Sequence, residues 1–430
     1  MRKRTDTRET TGKNQGTGGR QTAGRSSCKS SRCPVSSRCG GCTMIDVPYD
    51  EQLKGKQALV EGCIGRFGPV DPAIRMKNPD HYRNKVTSVF GMDRKNKPVC
   101  GVYAKGTHEV VPVDHCLLED RRSDAIVQSV MSLLPSFKIR VYDEDRGTGI
   151  LRYVQVRTAH ATGQVMVTIV TADPVFPSKN NFVKALLKLQ PALTTIVQNV
   201  NRRTDSLVLG EREHVLYGPG YIEDRLCGKT FRISSRAFYQ INSIQTEKLY
   251  HIAVDAAGLS GKETVLDAYC GIGTIGICAS DQAKQVISVE LNPDAVRDAV
   301  KNCALNHAAN VSVYQGDAGV FMQKLAESSG SVENETPDGV NGAGEDRVPR
   351  IDVLFMDPPR AGASQDFLSA ACMMAPKKIV YVSCDPVTLG RDVKYLTEHG
   401  YTMKKAVPVD MFPYVEHVET VVLMSRVEGK

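Results

Sequence analysis

The sequence predicts an α/β protein in which a doubly wound parallel sheet follows a mainly antiparallel α+β region. Five apolar strand-like runs, Thr264 to Tyr269, Val286 to Glu290, Val311 to Tyr314, Ile351 to Met356 and Ile379 to Val382, alternate with amphipathic segments such as Pro293 to Leu305. That alternation is the pattern of a parallel sheet covered on both faces. The last runs, Tyr401 to Val409 and Val418 to Met424, flank a Pro-containing turn and are expected to close the sheet as an antiparallel hairpin. Upstream, Leu151 to Arg157 alternates, Ala161 to Gln164 turns and Val165 to Val170 is apolar, which reads as another hairpin. Between the two regions, Asn242 followed by Gln245 predicts a capped helix running to about Gly258.

A chain of 430 residues exceeds one ordinary core, so two domains and a tail are expected: a tail over 1–32, a central domain over 33–230 and a C-terminal domain over 231–430. Residues 1–32 hold nine Lys/Arg against two acids, which matches the whole formal charge of +7 and leaves 33–430 neutral. The tail is expected to be a disordered basic arm, suited either to phosphates or simply to solubility. A Gly-, Ser- and acid-rich stretch over 326–350 is expected to be a flexible insertion. No apolar run is long enough to span a bilayer and the N-terminus lacks the apolar stretch of a secretory signal, so a cytoplasmic location is expected. In such a compartment the thirteen cysteines stay reduced and serve metal ligation, catalysis or packing.

Val265-Leu-Asp-Ala-Tyr269-Cys-Gly271-Ile-Gly273-Thr274 is a strand entering a helix through a glycine turn, where backbone can approach a ligand closely. Glu290 ends the next strand, where a carboxylate can bind ribose hydroxyls. The turn lacks the full dinucleotide fingerprint and no phosphate-cradling Lys follows, which disfavours NAD and ATP. S-adenosylmethionine, which has no pyrophosphate, fits better. Asp317 closes the third strand and serves either the adenine side or a helix cap.

Two further strands end in reactive groups, Asp357-Pro-Pro-Arg360 and Ser383-Cys384-Asp385-Pro386. A third element, Asp410-Met-Phe-Pro413 with His417-Val-Glu419, adds a second carboxylate, so the sequence offers a nucleophile, an orienting acid and a candidate general base. An aromatic residue in place of Arg360 would suggest methylation of an exocyclic amine. Two signatures, Asp357-Pro-Pro-Arg-Ala-Gly362 with Ile379-Val-Tyr-Val-Ser-Cys-Asp385, and Asp410-Met-Phe-Pro-Tyr-Val-Glu-His-Val-Glu419, resemble those of the RNA uracil-5-methyltransferase family, specifically its iron-sulfur 23S ribosomal RNA branch. The resemblance covers essentially 33–430 and implies a Rossmann-like transferase sheet binding S-adenosylmethionine. It implies Cys384 as nucleophile, Glu419 as general base, and Gln240, Tyr269, Glu290 and Asp357 at the methyl donor. Carbon 5 of uracil is a poor nucleophile. A thiolate adding to carbon 6 makes it enolate-like, and a base must then remove the carbon 5 proton. Two departures stand out: Asp385 where the family has Asn, and Val415 where it has Ser or Thr.

Cys33, Cys39 and Cys42 bring three thiols into one glycine-containing loop, suited to zinc or an iron-sulfur centre. By resemblance the fourth ligand is Cys116 and the group a 4Fe-4S cluster. Cys28, Cys63 and Cys100 are bystanders, while Cys270, Cys278, Cys303 and Cys372 read as core. Tyr82, Arg83, Lys85 and Arg152 are candidate RNA contacts. Residues 1–32 are too short and polar for the OB-like domain with which many relatives begin. The expected partner is RNA, 23S ribosomal RNA foremost, with the protein acting as a monomer. The rivals are a transfer RNA substrate and a non-catalytic iron-sulfur assembly factor.

Overall fold

The computed structural model of the chain describes residues 32–104, 106–330 and 350–427. The expected basic tail, apart from Arg32, and most of the expected insertion lie outside the described residues, as does Cys28. Short helix α1 (Ser36–Cys39) ends on left-handed Gly40, and α2 (Tyr49–Ile64) follows Pro48 with Asp50 and Glu51 in its first turn, where acids suit the helix dipole.

The first sheet uses β1 (Lys85–Met92), β2 (Pro98–Tyr103) and β3 (Val110–Pro112). After α3 (Arg121–Leu133) come β4 (Leu151–Thr158) and β5 (Val165–Thr171), then α4 (Lys179–Leu189), β6 (Thr195–Val200) and β7 (Arg212–Tyr217). The order is β3-β2-β1-β4-β5-β6-β7. All neighbours are antiparallel except β5 and β6, whose parallel pairing follows from the α4 crossover. The expected hairpin is β4 with β5. A separate hairpin, β8 (Tyr221–Leu226) with β9 (Lys229–Ser234), leads to α5 (Ser243–Ala257). Asn242 caps α5 by accepting from the Gln245 N–H at 3.2 Å. The Gln245 side chain does not close a capping box. It donates instead to the carbonyls of Ile74 and Asp410, tying the helix to a C-terminal loop.

The second sheet is built from β10 (Thr264–Ala268), α6 (Thr274–Ala279), β11 (Gln285–Glu290), α7 (Pro293–Leu305), β12 (Val311–Gln315) and α8 (Ala318–Gly330). The chain continues through β13 (Val353–Met356), α9 (Gln365–Met374), β14 (Lys378–Ser383), α10 (Pro386–Glu398), β15 (Tyr401–Val409) and β16 (Glu419–Arg426). Its order is β12-β11-β10-β13-β14-β16-β15, parallel from β12 to β14 and antiparallel across β14, β16 and β15. Helix α8 runs into the stretch read as loop from 326, because Ala326 and Glu327 extend a helix at little cost.

Alternate strand residues fill two cores. Val265, Val353, Phe355, Val380 and Val382 pack with Leu249 and Ala253 of α5, while Leu266, Leu354, Met356, Ile379 and Tyr381 pack with Phe367 of α9 and Leu389 of α10. Val60 and Ile64 of α2 join the second core. A helix from the region expected to be central therefore covers the C-terminal sheet. Among the described residues no helix is long and apolar enough to cross a membrane.

Candidate active site

Strand order reverses between adjacent β10 and β13, the switch point at which doubly wound sheets bind ligands beyond their carboxyl ends. On the β10 side the chain turns through Tyr269, Gly271 and Gly273 with φ of +63°, +56° and +82°. For an aromatic residue such a φ is uncommon, and held strain of this kind gathers at functional turns. Glu290 fixes the turn by accepting from the Gly271 N–H at 2.9 Å, with its other oxygen accepting from Asn292 N–H at 2.7 Å. Lone pairs remain on both oxygens for ribose hydroxyls. Asp267, buried beneath, accepts from Gly276 N–H at 2.8 Å. Burial, with Asp357 and Glu290 nearby, pushes its carboxyl up to about 7. A floor of mutually repelling carboxylates suits a cationic ligand such as a sulfonium.

On the far side, Ser383 of β14 pairs with Thr420 of β16, so the antiparallel register brings Cys384 opposite Glu419. Met356 of β13 lies between Ala268 and Tyr381, which places Asp357 between the cofactor turn and the thiol. Glu419 is 3 % exposed, and its Oε2 has no hydrogen-bond partner. An orphaned buried carboxylate needs a reason, and a catalytic role is one. Burial, then repulsion by Asp357, pushes Glu419 up to about 8, with Arg360 opposing. Burial pushes Asp357 up to about 7. Cys384 is pushed up to about 11 by burial, Glu419 and Asp357, again against Arg360. Sequence reasoning passed over Arg360 except as a non-aromatic residue. Its signal was present, because a thiol that must ionise needs a nearby cation.

Asp385 does not disturb this site. Its carboxylate accepts from Val387 and Thr388 N–H at 2.9 and 3.2 Å as the cap of α10, a role Asn also fills. Asp317 likewise caps α8, accepting from Val320 N–H at 3.0 Å. Asp410, which opens the third element, is engaged in a buried pair with Lys56. Gln240 lies in the loop before α5, its carbonyl held by Asn84 Nδ2 at 2.9 Å, and its side-chain amide makes no hydrogen bond among the described residues.

These raised carboxyls set the pH dependence of stability. Folded Glu419 and Asp357 keep protons that the unfolded chain releases near about pH 4, so stability falls as pH rises through about 7 to 8. For these two groups the ligand-free protein should show a Tm that declines from about pH 4 to about pH 8 and levels off above that. Glu419→Gln should flatten that decline and melt higher than wild type at the alkaline end. Thermal melts of both proteins across this range check the sign.

The cysteine loop stands beside this site. Cys33, Cys42 and Cys116 pack against Ile45, Met76, Tyr82, Leu118 and Tyr414, the last in the loop leading to Glu419. Burial, then Cys39 and Cys33, pushes Cys42 up to about 11, while burial, Glu119 and Cys42 act on Cys116. Arg83 lowers Cys39 and Cys42. The Arg83 guanidinium therefore lies near two of the four thiols. Tyr414 is braced further: Gln52 accepts from its N–H at 2.9 Å, its carbonyl accepts from Met44 N–H at 2.9 Å, and Arg32 donates to its hydroxyl at 3.0 Å.

Two of the candidate RNA contacts are committed elsewhere. Arg152 is 2 % exposed and bonds Glu144 and the carbonyls of Asn201 and Arg203, while Tyr82 is buried with its hydroxyl on the Pro413 carbonyl. Lys85, lowered to about 8 by burial and by Arg157 and Arg83, and Arg83 are half-buried.

A parallel sheet with a donor turn at its switch point, facing a thiol and a buried carboxylate, defines an S-adenosylmethionine-dependent RNA methyltransferase once its relatives are considered. The profile of the tRNA (uracil-5-)-methyltransferase family matches residues 48–427, and the chain belongs to that family. It is 39% identical to an uncharacterized RNA methyltransferase of Bacillus cereus over 405 residues, 93% of this chain and 84% of that one. A Listeria monocytogenes uncharacterized RNA methyltransferase is 40% identical over 396 residues, covering 91% and 83%. The crystal structure of Pyrococcus abyssi tRNA (uracil-54, C5)-methyltransferase with S-adenosyl-L-homocysteine superposes with a TM-score of 0.71 at 26% identity, over 89% of this chain and 85% of that one.

Proposed function

We propose that the chain methylates carbon 5 of a uridine in 23S ribosomal RNA through a covalent adduct. The observation that carries this is the buried Glu419 carboxyl, without a partner at Oε2, opposite the Cys384 thiol. In this reading the Cys384 thiol gives up its proton to solvent and bonds to carbon 6, and the π pair of the carbon 5–carbon 6 double bond shifts to leave an enolate. Carbon 5 takes the methyl group of S-adenosylmethionine, and S-adenosylhomocysteine departs. Glu419 then removes the carbon 5 proton as the bond from sulfur to carbon 6 breaks. Arg360 stabilises the thiolate and the developing enolate, while Gln240, Tyr269, Glu290 and Asp357 hold the donor. The target base must leave its stack to reach a site this enclosed.

Cys33, Cys39, Cys42 and Cys116 would hold a 4Fe-4S cluster. A cubane takes one thiolate per iron, and its role here is to stiffen the packing around Tyr414 rather than to pass electrons, which methyl transfer does not require. Residues 33–230 would supply most of the RNA surface and 231–430 the transfer chemistry, in a monomeric cytoplasmic protein, with α2 bridging the two.

The family name and the Pyrococcus abyssi enzyme favour transfer RNA as a second reading. Protein purified anaerobically, given labelled S-adenosylmethionine and either 23S ribosomal RNA or transfer RNA transcripts, should label the ribosomal transcript and yield 5-methyluridine on digestion. It should be brown, and Cys116→Ser should lose the iron. Labelling of transfer RNA alone would replace the substrate, and iron-free wild-type protein would remove the cluster.

A further inference from the structure

Three metal-binding side chains outside the transferase site converge where the β8–β9 hairpin meets α5, with a fourth close by on α6. The hairpin closes through two residues, Cys227-Gly228, with Leu226 paired to Lys229. Both are left-handed, with φ of +51° and +74°. Such loops favour Asn-Gly or Asp-Gly, whose first side chain supports the turn. A thiol offers little of that support, so turn formation does not account for Cys227. On α5, Glu247 and His251 are one helical turn apart on a common face. The Cys227 Sγ, a Glu247 carboxylate oxygen and a His251 ring nitrogen all lie within 4.8 Å of one another. Glu247 Oε1 also accepts from Cys227 N–H at 3.2 Å, which seats it against the loop. Helix α6 brings a second thiol to the loop: Cys278 Sγ lies 4.0 Å from the Leu226 carbonyl, and the neighbouring Cys227 side chain raises its proton affinity.

We propose that Cys227, Glu247, His251 and Cys278 form a site for one zinc ion. Two sulfurs, one imidazole and one carboxylate match the four-coordinate, borderline-soft preference of zinc, whereas calcium and magnesium call for oxygen ligands alone. Glu247 and His251 are exposed and can swing inwards, which also leaves the ion an entry path. Binding exchanges two thiol protons for the ion and changes no oxidation state. Lys229 stands near this group, its ammonium donating to Asp281 at 2.6 Å. The ion would clamp the hairpin between the two sheets onto α6, the helix that opens at the cofactor turn. Cys278, which the sequence reads as core, acquires a ligand's role through this long-range convergence.

The test uses the full-length protein, with zinc and iron measured together. Wild type purified under reducing conditions should carry about one zinc per chain, Cys116→Ser should retain it, and Cys227→Ser and His251→Gln should lose it while retaining iron. Because His251 is exposed, circular dichroism of His251→Gln should be unchanged, separating ligand loss from unfolding. With cobalt alone as probe, wild type should show thiolate charge-transfer and intense visible bands that His251→Gln lacks. Failure of wild type to bind zinc or cobalt would overturn the site. So would equal binding by His251→Gln, or recovery of Cys227 and Cys278 as a disulfide under those conditions. None of these results bears on methyl transfer by Cys384 or on iron held through Cys116.

Discussion

Cys384→Ala is expected to bind RNA, form no covalent complex and transfer no measurable methyl group, whereas Glu419→Gln is expected to accumulate protein joined to RNA. In the proposed mechanism the thiol is the group that adds to carbon 6, so its loss would remove the pathway rather than slow a step. Glu419 is proposed to act later, and losing a positioned base costs about 10²- to 10⁴-fold in rate. Its amide substitute keeps the shape of the pocket but cannot take the carbon 5 proton, so methylated adduct should build up. Denaturing gels with labelled RNA distinguish the two outcomes, and the label of the methyl donor should appear in the Glu419→Gln band. The free protein is poised against premature chemistry. Burial raises both Cys384 and Glu419, and their mutual repulsion with Asp357 adds to it, so the empty site favours their protonated forms. A cationic donor beside Asp357 lowers the carboxyls, and Arg360 opposes protonation of the thiol. Normal turnover by Cys384→Ala would refute these roles.

The readable parts of the sequence were those written locally. Strand-helix alternation gave the second sheet almost residue by residue, Pro293–Leu305 and Tyr401–Val409 being found as expected, because burial on two faces leaves a period that a short window contains. Cys384 and Glu419 were legible because each sits in a short motif at a strand end. Partnerships across the chain left no such trace. Arg152 looked like an RNA contact until Glu144 and two carbonyls enclosed it. Asp410 stood in the right motif for catalysis, but its partner is 354 residues away on α2. Cys278 looked apolar in its own helix, and only the fold brings Cys227 to it. Helix α2, which stands in the central region by sequence position, packs Val60 and Ile64 into a core of the C-terminal sheet, another partnership that no short window contains.

That distant partnership predicts the largest effect on stability. Lys56 and Asp410 are 1% and 0% exposed at their side chains, with Lys56 Nζ 2.6 Å from Oδ1. Burial alone lowers the proton affinity of Lys56, and Asp410 counters it. Tyr49 hydroxyl donates to Oδ2 at 2.7 Å, Lys56 also donates to the Phe412 carbonyl at 2.9 Å, and the Tyr49 oxygen accepts from Met76 N–H at 2.8 Å. Lys56→Met would leave a buried carboxylate supported by one hydroxyl, and removing one member of such a pair costs about 3–5 kcal/mol. Asp410→Leu should be comparably damaging, because it strands the ammonium. The double variant Lys56→Met with Asp410→Leu should recover much of the loss, since both desolvation penalties disappear together. Urea unfolding of the three variants measures this. Additive losses in the double variant would show that the two residues act separately. The pair sits at the root of the loop from Asp410 to Glu419, so Lys56→Met should also lower turnover at temperatures where the protein remains folded. The charge pair is then a positioning device: it fixes the height at which the chain re-enters the sheet, and therefore where the Glu419 carboxyl stands relative to Cys384.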